Sequence, residues 1–167
     1  TQKTQDLYGI GDGKSTDRYG KMCLMGRRMV ERGVRYVQLI CGGWDAHGDT
    51  RGNHNTQAEK VDQPIAGLIS DLEQRGLLES TLLVWVGEFG RTPKISYATG
   101  SISKVRQPGR DHWPRATSML FAGGGITPGQ VIGATDIRGE DVVERRIGPV
   151  DFLATMYRHL GVDPSRV

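Results

Sequence analysis

Three short clusters in this 167-residue chain hold the residues able to do chemistry. The first is Gly42-Gly43-Trp44-Asp45-Ala46-His47-Gly48-Asp49. The second is Gly87-Glu88-Phe89-Gly90-Arg91-Thr92-Pro93, and the third is Gly109-Arg110-Asp111-His112-Trp113-Pro114. Carboxylate and imidazole groups supplied by separate loops are what a hard-to-borderline divalent cation needs. Such a cation acts as a Lewis acid and helps make a nucleophile at neutral pH. The candidate ligands are Asp45, His47, Glu88, Asp111 and His112, with His54 in Asn53-His54-Asn55 as an extra one. Arg91 and Arg110 can clamp an oxyanion through paired donors, which suits phosphate or sulfate. Plainer readings stand beside these. Asp45 can cap a turn, His47 and His54 can be solvated, Glu88 can pair with Arg91, and Asp111 with His112 can brace a loop. Trp44 and Trp113 are packing residues that can also wall a pocket.

The elements that must position these clusters follow from hydrophobic spacing and chain breakers. The first fifteen residues are polar and Gly-rich and read as a flexible lead-in. Thr16 or Asp17 caps a helix running to about Glu31, with Tyr19, Met22, Cys23, Met29 and Val30 at helical spacing and Gly33 as its stop. Val34 to Cys41 reads as a strand, and Gly42 to Asn55 as a loop. A second helix spans Thr56 to Arg75, with Val61, Ile65, Leu68, Ile69 and Leu72 on one face and Gly76 after it. Thr81 to Val86 is an almost wholly apolar strand of the kind covered on both faces. Glu88 to Arg115 is a long polar stretch, of a length usually tied to function. Ala116 to Ala122 is a third strand, broken by Gly123-Gly124-Gly125, and Gln130 to Thr135 a short fourth. Pro149 opens a last helix with Val150, Leu153, Met156, Tyr157 and Leu160 inward, before Gly161.

This order predicts an α/β fold: a mainly parallel sheet flanked by helices, with strands 34–41 and 81–87 parallel through a helical crossover. Residues 16–167 form one domain in this reading. Ligands in such sheets bind beyond the carboxyl ends of strands, where the first two clusters fall. For His112 to reach the same edge, the 116–122 strand must run antiparallel or its loop must return across the top.

Composition narrows the classes. There are 22 Lys plus Arg against 19 Asp plus Glu, a net charge of +3, and 37% of residues are apolar, which excludes a disordered tail. The basic residues are interleaved with acidic ones, as in Glu140-Asp141-Val142-Val143-Glu144-Arg145-Arg146, so no basic block tracks nucleic-acid phosphates. The Leu82–Val86 run is far shorter than the roughly 20 apolar residues a membrane span needs. Cys23 and Cys41 lack metal or redox spacing and read as free thiols. The start has no apolar signal core and no Met, and reads as a cut inside a longer protein.

The three motifs in this order, with the ending Gly148-Pro149-Val150-Asp151-Phe152-Leu153-Ala154-Thr155-Met156-Tyr157-Arg158-His159-Leu160-Gly161-Val162, resemble an uncharacterised sulfatase-like family of the alkaline phosphatase/sulfatase superfamily. The likeness covers about residues 17–163 and only the carboxy-terminal part of such a domain. It implies a metal centre at strand ends, with Asp45, His47 and His112 on one metal. Glu88 matches the acid of a second metal, but Phe89 stands where a His is expected, unless Asp111 or His54 compensates. Zinc is the first choice, with calcium or manganese as alternatives. No segment matches the nucleophile, so no catalytic residue is identified, and an amino-terminal half is missing. The resemblance also implies a small anionic ester substrate and a periplasmic or secreted location. Two functions follow: a metal-dependent hydrolase of phosphate or sulfate esters, or a non-catalytic binding or assembly protein on the same fold. An unpaired strand edge would favour a homo-oligomer.

Overall fold

The computed structural model describes residues 1–99 and 104–166. Gly100 to Ser103 of the long polar stretch, and Val167 at the end of the expected domain, lie outside the described residues. In chain order the elements are α1 (Gln2–Leu7), α2 (Asp17–Glu31), α3 (Thr50–Gln74), β1 (Leu83–Val86), β2 (Gly90–Arg91), β3 (Ser96–Thr99), β4 (Arg106–Gly109), β5 (His112–Trp113), β6 (Met119–Ala122), β7 (Ala134–Thr135), β8 (Val142–Glu144) and α4 (Pro149–His159), followed by a 3-10 turn at Pro164–Arg166. They fall into two compact units. One comprises Thr1–Thr81 with the described part of Lys94–Asp111, and the other Leu82–Pro93 with the described residues from His112 onward.

The first unit is built on three helices. Its core is Tyr8, Ile10 and Cys23, with Leu7, Tyr19, Leu24, Leu39 and Leu68 packed against them. The expected lead-in therefore supplies both a helix and core side chains. The backbone of Leu7 and Tyr8 runs hard against two helical glycines. A Cβ at Gly20 of α2 would run into the Tyr8 carbonyl, and one at Gly67 of α3 would stand 2.5 Å from the Leu7 carbonyl. Those two positions accept glycine although it weakens a helix by roughly 1 kcal/mol relative to Ala.

One buried carboxylate ties these elements together. Asp71 of α3 is 6% exposed. Its Oδ2 accepts from Tyr8 Oη at 2.8 Å and from Arg27 Nε at 2.8 Å, and its Oδ1 accepts from Arg75 Nε at 2.7 Å. Glu31 closes the network, pairing with Arg27 and, at 3.0 Å, with Arg75 Nη1. Burial pushes the Asp71 carboxyl up, but the hydrogen bonds from Arg75 and Tyr8 and the charges of Arg27 and Arg75 outweigh it and hold the group below the usual carboxylate range.

Sequence spacing locates α2 and its glycine stop well. α3 begins earlier than expected, inside the supposed loop, because Asp49 caps it by accepting from Gly52 N at 3.3 Å. The expected strand from Val34 to Cys41 does not form. The segment is not part of any sheet; Val37 and Leu39 lie against α2 at Gly26, and Ile40 on the other side is 72% exposed. Alternation places one face on the helix, but a strand also needs a ladder partner, and none pairs with it among the described residues. The first unit's sheet is instead the β3–β4 hairpin, with Ser96 opposite Gly109 and Thr99 opposite Arg106.

In the second unit, β1 pairs antiparallel with β6, Leu83 opposite Ala122 and Val86 opposite Met119. β2 pairs with β5 and β7 with β8, both antiparallel. The expected mainly parallel α/β sheet is thus corrected: the described residues form four helices and small two-stranded antiparallel sheets. An apolar run marks a strand without choosing its partner, and β1 takes the later β6 rather than the earlier 34–41 segment. α4 starts at Pro149 as expected, and Gly148 N donates to Asp151 Oδ2 at 2.8 Å. Its packing residue is Phe152, edge-on to Phe121 at 6.1 Å, whereas Val150 and Leu153 are exposed.

The Asp71 network sets stability in two ways. Asp71→Asn leaves two guanidinium groups short of a partner and should destabilise the chain by about 3–5 kcal/mol in urea unfolding, against about 1–2 kcal/mol for Tyr8→Phe. Because folding lowers the Asp71 pKa, its contribution is present above the unfolded value of about 4 and lost as pH falls through the folded value. Wild-type stability should therefore fall on acidification below about pH 4, with a shallower fall in Asp71→Asn, measured by denaturation at a series of pH values.

Candidate metal centre

The loop from Gly42 to Asp49 is anchored at its middle. Ala46 is buried, and its N–H donates to the Trp44 carbonyl at 2.9 Å, folding a three-residue turn with Asp45 at the apex. Thr50 Oγ1 donates to the Ala46 carbonyl at 3.4 Å. With Ala46 held inward, its neighbours Asp45 and His47 project outward, their side chains 66% and 47% exposed. Asp49 ends the loop in the left-handed region, at φ +46°, as the cap of α3.

His47 is held between two carboxylates of the same unit. Its Nε2 lies 3.0 Å from Asp45 Oδ1, and its Nδ1 lies 3.0 Å from Asp111 Oδ1. A carboxylate oxygen only accepts, so a neutral His47 can donate to one of the two carboxylates while its other ring nitrogen faces the second. A proton or a cation satisfies that contact. The approach of the two strands of chain is close: a Cβ on Gly109, at the end of β4, would run into the His47 carbonyl. That contact brings the end of the hairpin, and with it Asp111, to the histidine.

His112 follows Asp111 along the chain and opens the second unit. There it pairs across the β2–β5 ladder with Arg91, while the Phe89 ring packs on its imidazole with centroids 4.4 Å apart. Trp113 beside it is fixed by donating from Nε1 to the Glu140 carbonyl at 2.8 Å and by Arg115 over its ring. Asp45, His47 and His112 are all exposed, the first two in the first unit and His112 in the second. Glu88, exposed in the turn after β1, lies in the second unit, and His54 in the first. His54 is a residue of α3, its Nδ1 donating to the Thr50 carbonyl at 2.8 Å and its ring edge-on to Trp44. Asp111 serves through His47. Arg110 stands next to it in the chain.

Asn53 was not among the sequence candidates. Its Nδ2 donates to the Gly43 carbonyl at 3.1 Å, holding the start of the loop, and its Oδ1 is buried without a hydrogen-bond partner. Nothing in the spacing marks it, because an Asn within a helix is ordinarily a surface residue.

Among the described residues, no helix is long and apolar enough to cross a membrane. The model of a family described as "Protein of unknown function (DUF1501)" matches residues 1–167, and the chain belongs to that family. No curated protein and no solved structure matches. The expected kinship with the alkaline phosphatase/sulfatase superfamily is thereby corrected: the match over the whole chain is to a family of unknown function, and nothing points to that superfamily. Short Gly-flanked polar motifs reflect the needs of tight loops as readily as common descent.

The close approach at Gly109 gives a direct check on this geometry. Gly109→Val should cost about 1–3 kcal/mol of stability by overpacking and should uncouple Asp111 from His47. The first effect is read by thermal unfolding and the second by the histidine's NMR chemical shifts, which should move toward those of Asp111→Ala.

Proposed function

We propose that this chain binds a divalent cation through Asp45 and His47, with Asp111 behind His47, and that the bound cation serves hydrolysis of a phosphate or sulfate ester. The observation that carries the reading is the placement of the exposed His47 ring between two carboxylates, Nε2 3.0 Å from Asp45 Oδ1 and Nδ1 3.0 Å from Asp111 Oδ1. Two ligand atoms at about 2.0–2.2 Å from a tetrahedral zinc stand about 3.4 Å apart, so the pair needs only a small opening to admit the ion. Asp111 then holds the tautomer and orientation of a metal-ligating imidazole from outside, a standard arrangement for histidine ligands. An imidazole beside a carboxylate favours zinc over calcium or manganese, which take mostly oxygen.

Magnitudes favour a cation over a mere clasp. Exposed ion pairs contribute about 0–1 kcal/mol, too little to explain why two carboxylates are gathered on one histidine. A cation there would supply Lewis-acid chemistry. Arg110, next to Asp111 in the chain, would bind the anionic group of the substrate.

Calorimetric titration of the purified chain with zinc should give one equivalent bound. Asp45→Ala and His47→Ala should each weaken binding by more than tenfold, and Asp111→Ala by about 10–100-fold. Unchanged zinc binding in all three variants would remove the site. Chelator-sensitive release of the alcohol from an aryl phosphate or aryl sulfate supports the hydrolase reading. Zinc binding without turnover of either ester leaves a cation-dependent binding protein.

A further inference from the structure

Outside the candidate metal centre, the first unit holds two free thiols, Cys23 buried in α2 and Cys41 half-buried at the end of the unpaired 34–41 segment. That segment lies against α2, with Leu39 and Val37 at 3.4 Å and 3.6 Å from the Cβ position of Gly26. From Gly26, Cys23 lies one helical turn back, about 4.5 Å along the axis. From Leu39, Cys41 lies two residues on, about 6.6 Å along an extended chain and on the same side. The two elements run in opposite senses, because Val37 and Leu39, which follow the end of α2 at Glu31, lie back beside Gly26. These steps bring Cys41 over the turn that carries Cys23. Leu39 also packs against the core cluster that includes Cys23.

We propose that Cys23 and Cys41 are a modification site: a low-molecular-weight disulfide oxidises them to an intramolecular Cys23–Cys41 disulfide that fastens the 34–41 segment to α2. The proposal stands apart from the cation reading. Their electrostatics agree with the placement. Burial, and then the charge of Cys41, push the Cys23 thiol up to about 12, partly offset by a hydrogen bond with Tyr19. Burial also pushes the Tyr19 hydroxyl up to about 12, with Cys23 and Cys41 both adding to the shift. Cys41 thus bears on both Cys23 and the Tyr19 phenol.

Cys41, the less buried thiol, reacts first. Its thiolate attacks one sulfur of the reagent disulfide, the reagent's S–S bond breaks, and one reagent thiol leaves with the Cys41 proton. The Cys23 sulfur then attacks Cys41 Sγ, and the second reagent thiol leaves with the Cys23 proton. Two protein thiols are oxidised, and one reagent disulfide is reduced to two thiols.

The test uses the folded wild-type chain and oxidised glutathione. The expected product has lost both thiols and weighs about 2 Da less than the reduced chain. Peptide mapping should link Cys23 to Cys41, the far-UV circular dichroism should be retained, and a reductant should restore the thiols. Cys23→Ser should stop at glutathione on Cys41; Cys23→Ala serves if the serine variant does not fold. A wild-type product that stops at that mixed disulfide, a covalent dimer, or a link formed only in denaturant would overturn the proposal.

Discussion

The first unit depends on how a single carboxylate is satisfied. Asp71 is buried on α3, and a buried charge is tolerable only when partners replace the water it has lost. Tyr8 comes from the segment after α1, Arg27 from α2, and Arg75 from just beyond α3. No one of these elements can shift without leaving a buried group unpaired. The tight passage of Leu7 and Tyr8 beside Gly20 and Gly67 serves the same end, since a larger residue at either helix position would push Tyr8 away from the carboxylate. The network therefore fixes position more than it adds net stability, because the desolvation it overcomes is large.

What the sequence disclosed follows from which interactions are local. α2, the glycine stop at Gly33, the core of β1 and the Pro149 start of α4 depend on periodicity and backbone preference within a few residues, and all are readable by eye. Sheet pairing is not local. Val34 to Cys41 carries the alternation of a strand, yet its pattern is met by lying on α2. β1, with an apolar run suited to a parallel interior, pairs antiparallel with β6. Tyr8 was illegible for the same reason: its partner Asp71 is 63 residues away, and a lone Tyr in a Gly-rich stretch carries no mark of burial.

The candidate site was legible in its residue types and less so in its geometry. Asp45, His47, Asp111 and His112 all stand in the three polar clusters, and the described structure brings His47 between Asp45 and Asp111. Glu88 and His54 had equal claims by type. They differ in their backbones, since Glu88 sits in an exposed turn and His54 inside a helix that begins before the sequence shows it. Asp49 decides that last point, as its capping contact to Gly52 turns the expected loop residues 50–55 into the first turns of α3.

Ala46 shows how an exposed site can still be ordered. Asp45 and His47 face solvent, where long-range fields are screened and single ion pairs count for little. Their placement comes instead from the buried methyl group between them, and from the backbone hydrogen bonds that Ala46 makes on both sides. Gly109 adds a second constraint by letting the hairpin end approach the His47 carbonyl. Ordering thus resides in main chain and small residues rather than in the exposed side chains themselves. A site arranged in this way can be open to water and to an exchanging ligand while keeping its donor atoms within one ion's reach of each other.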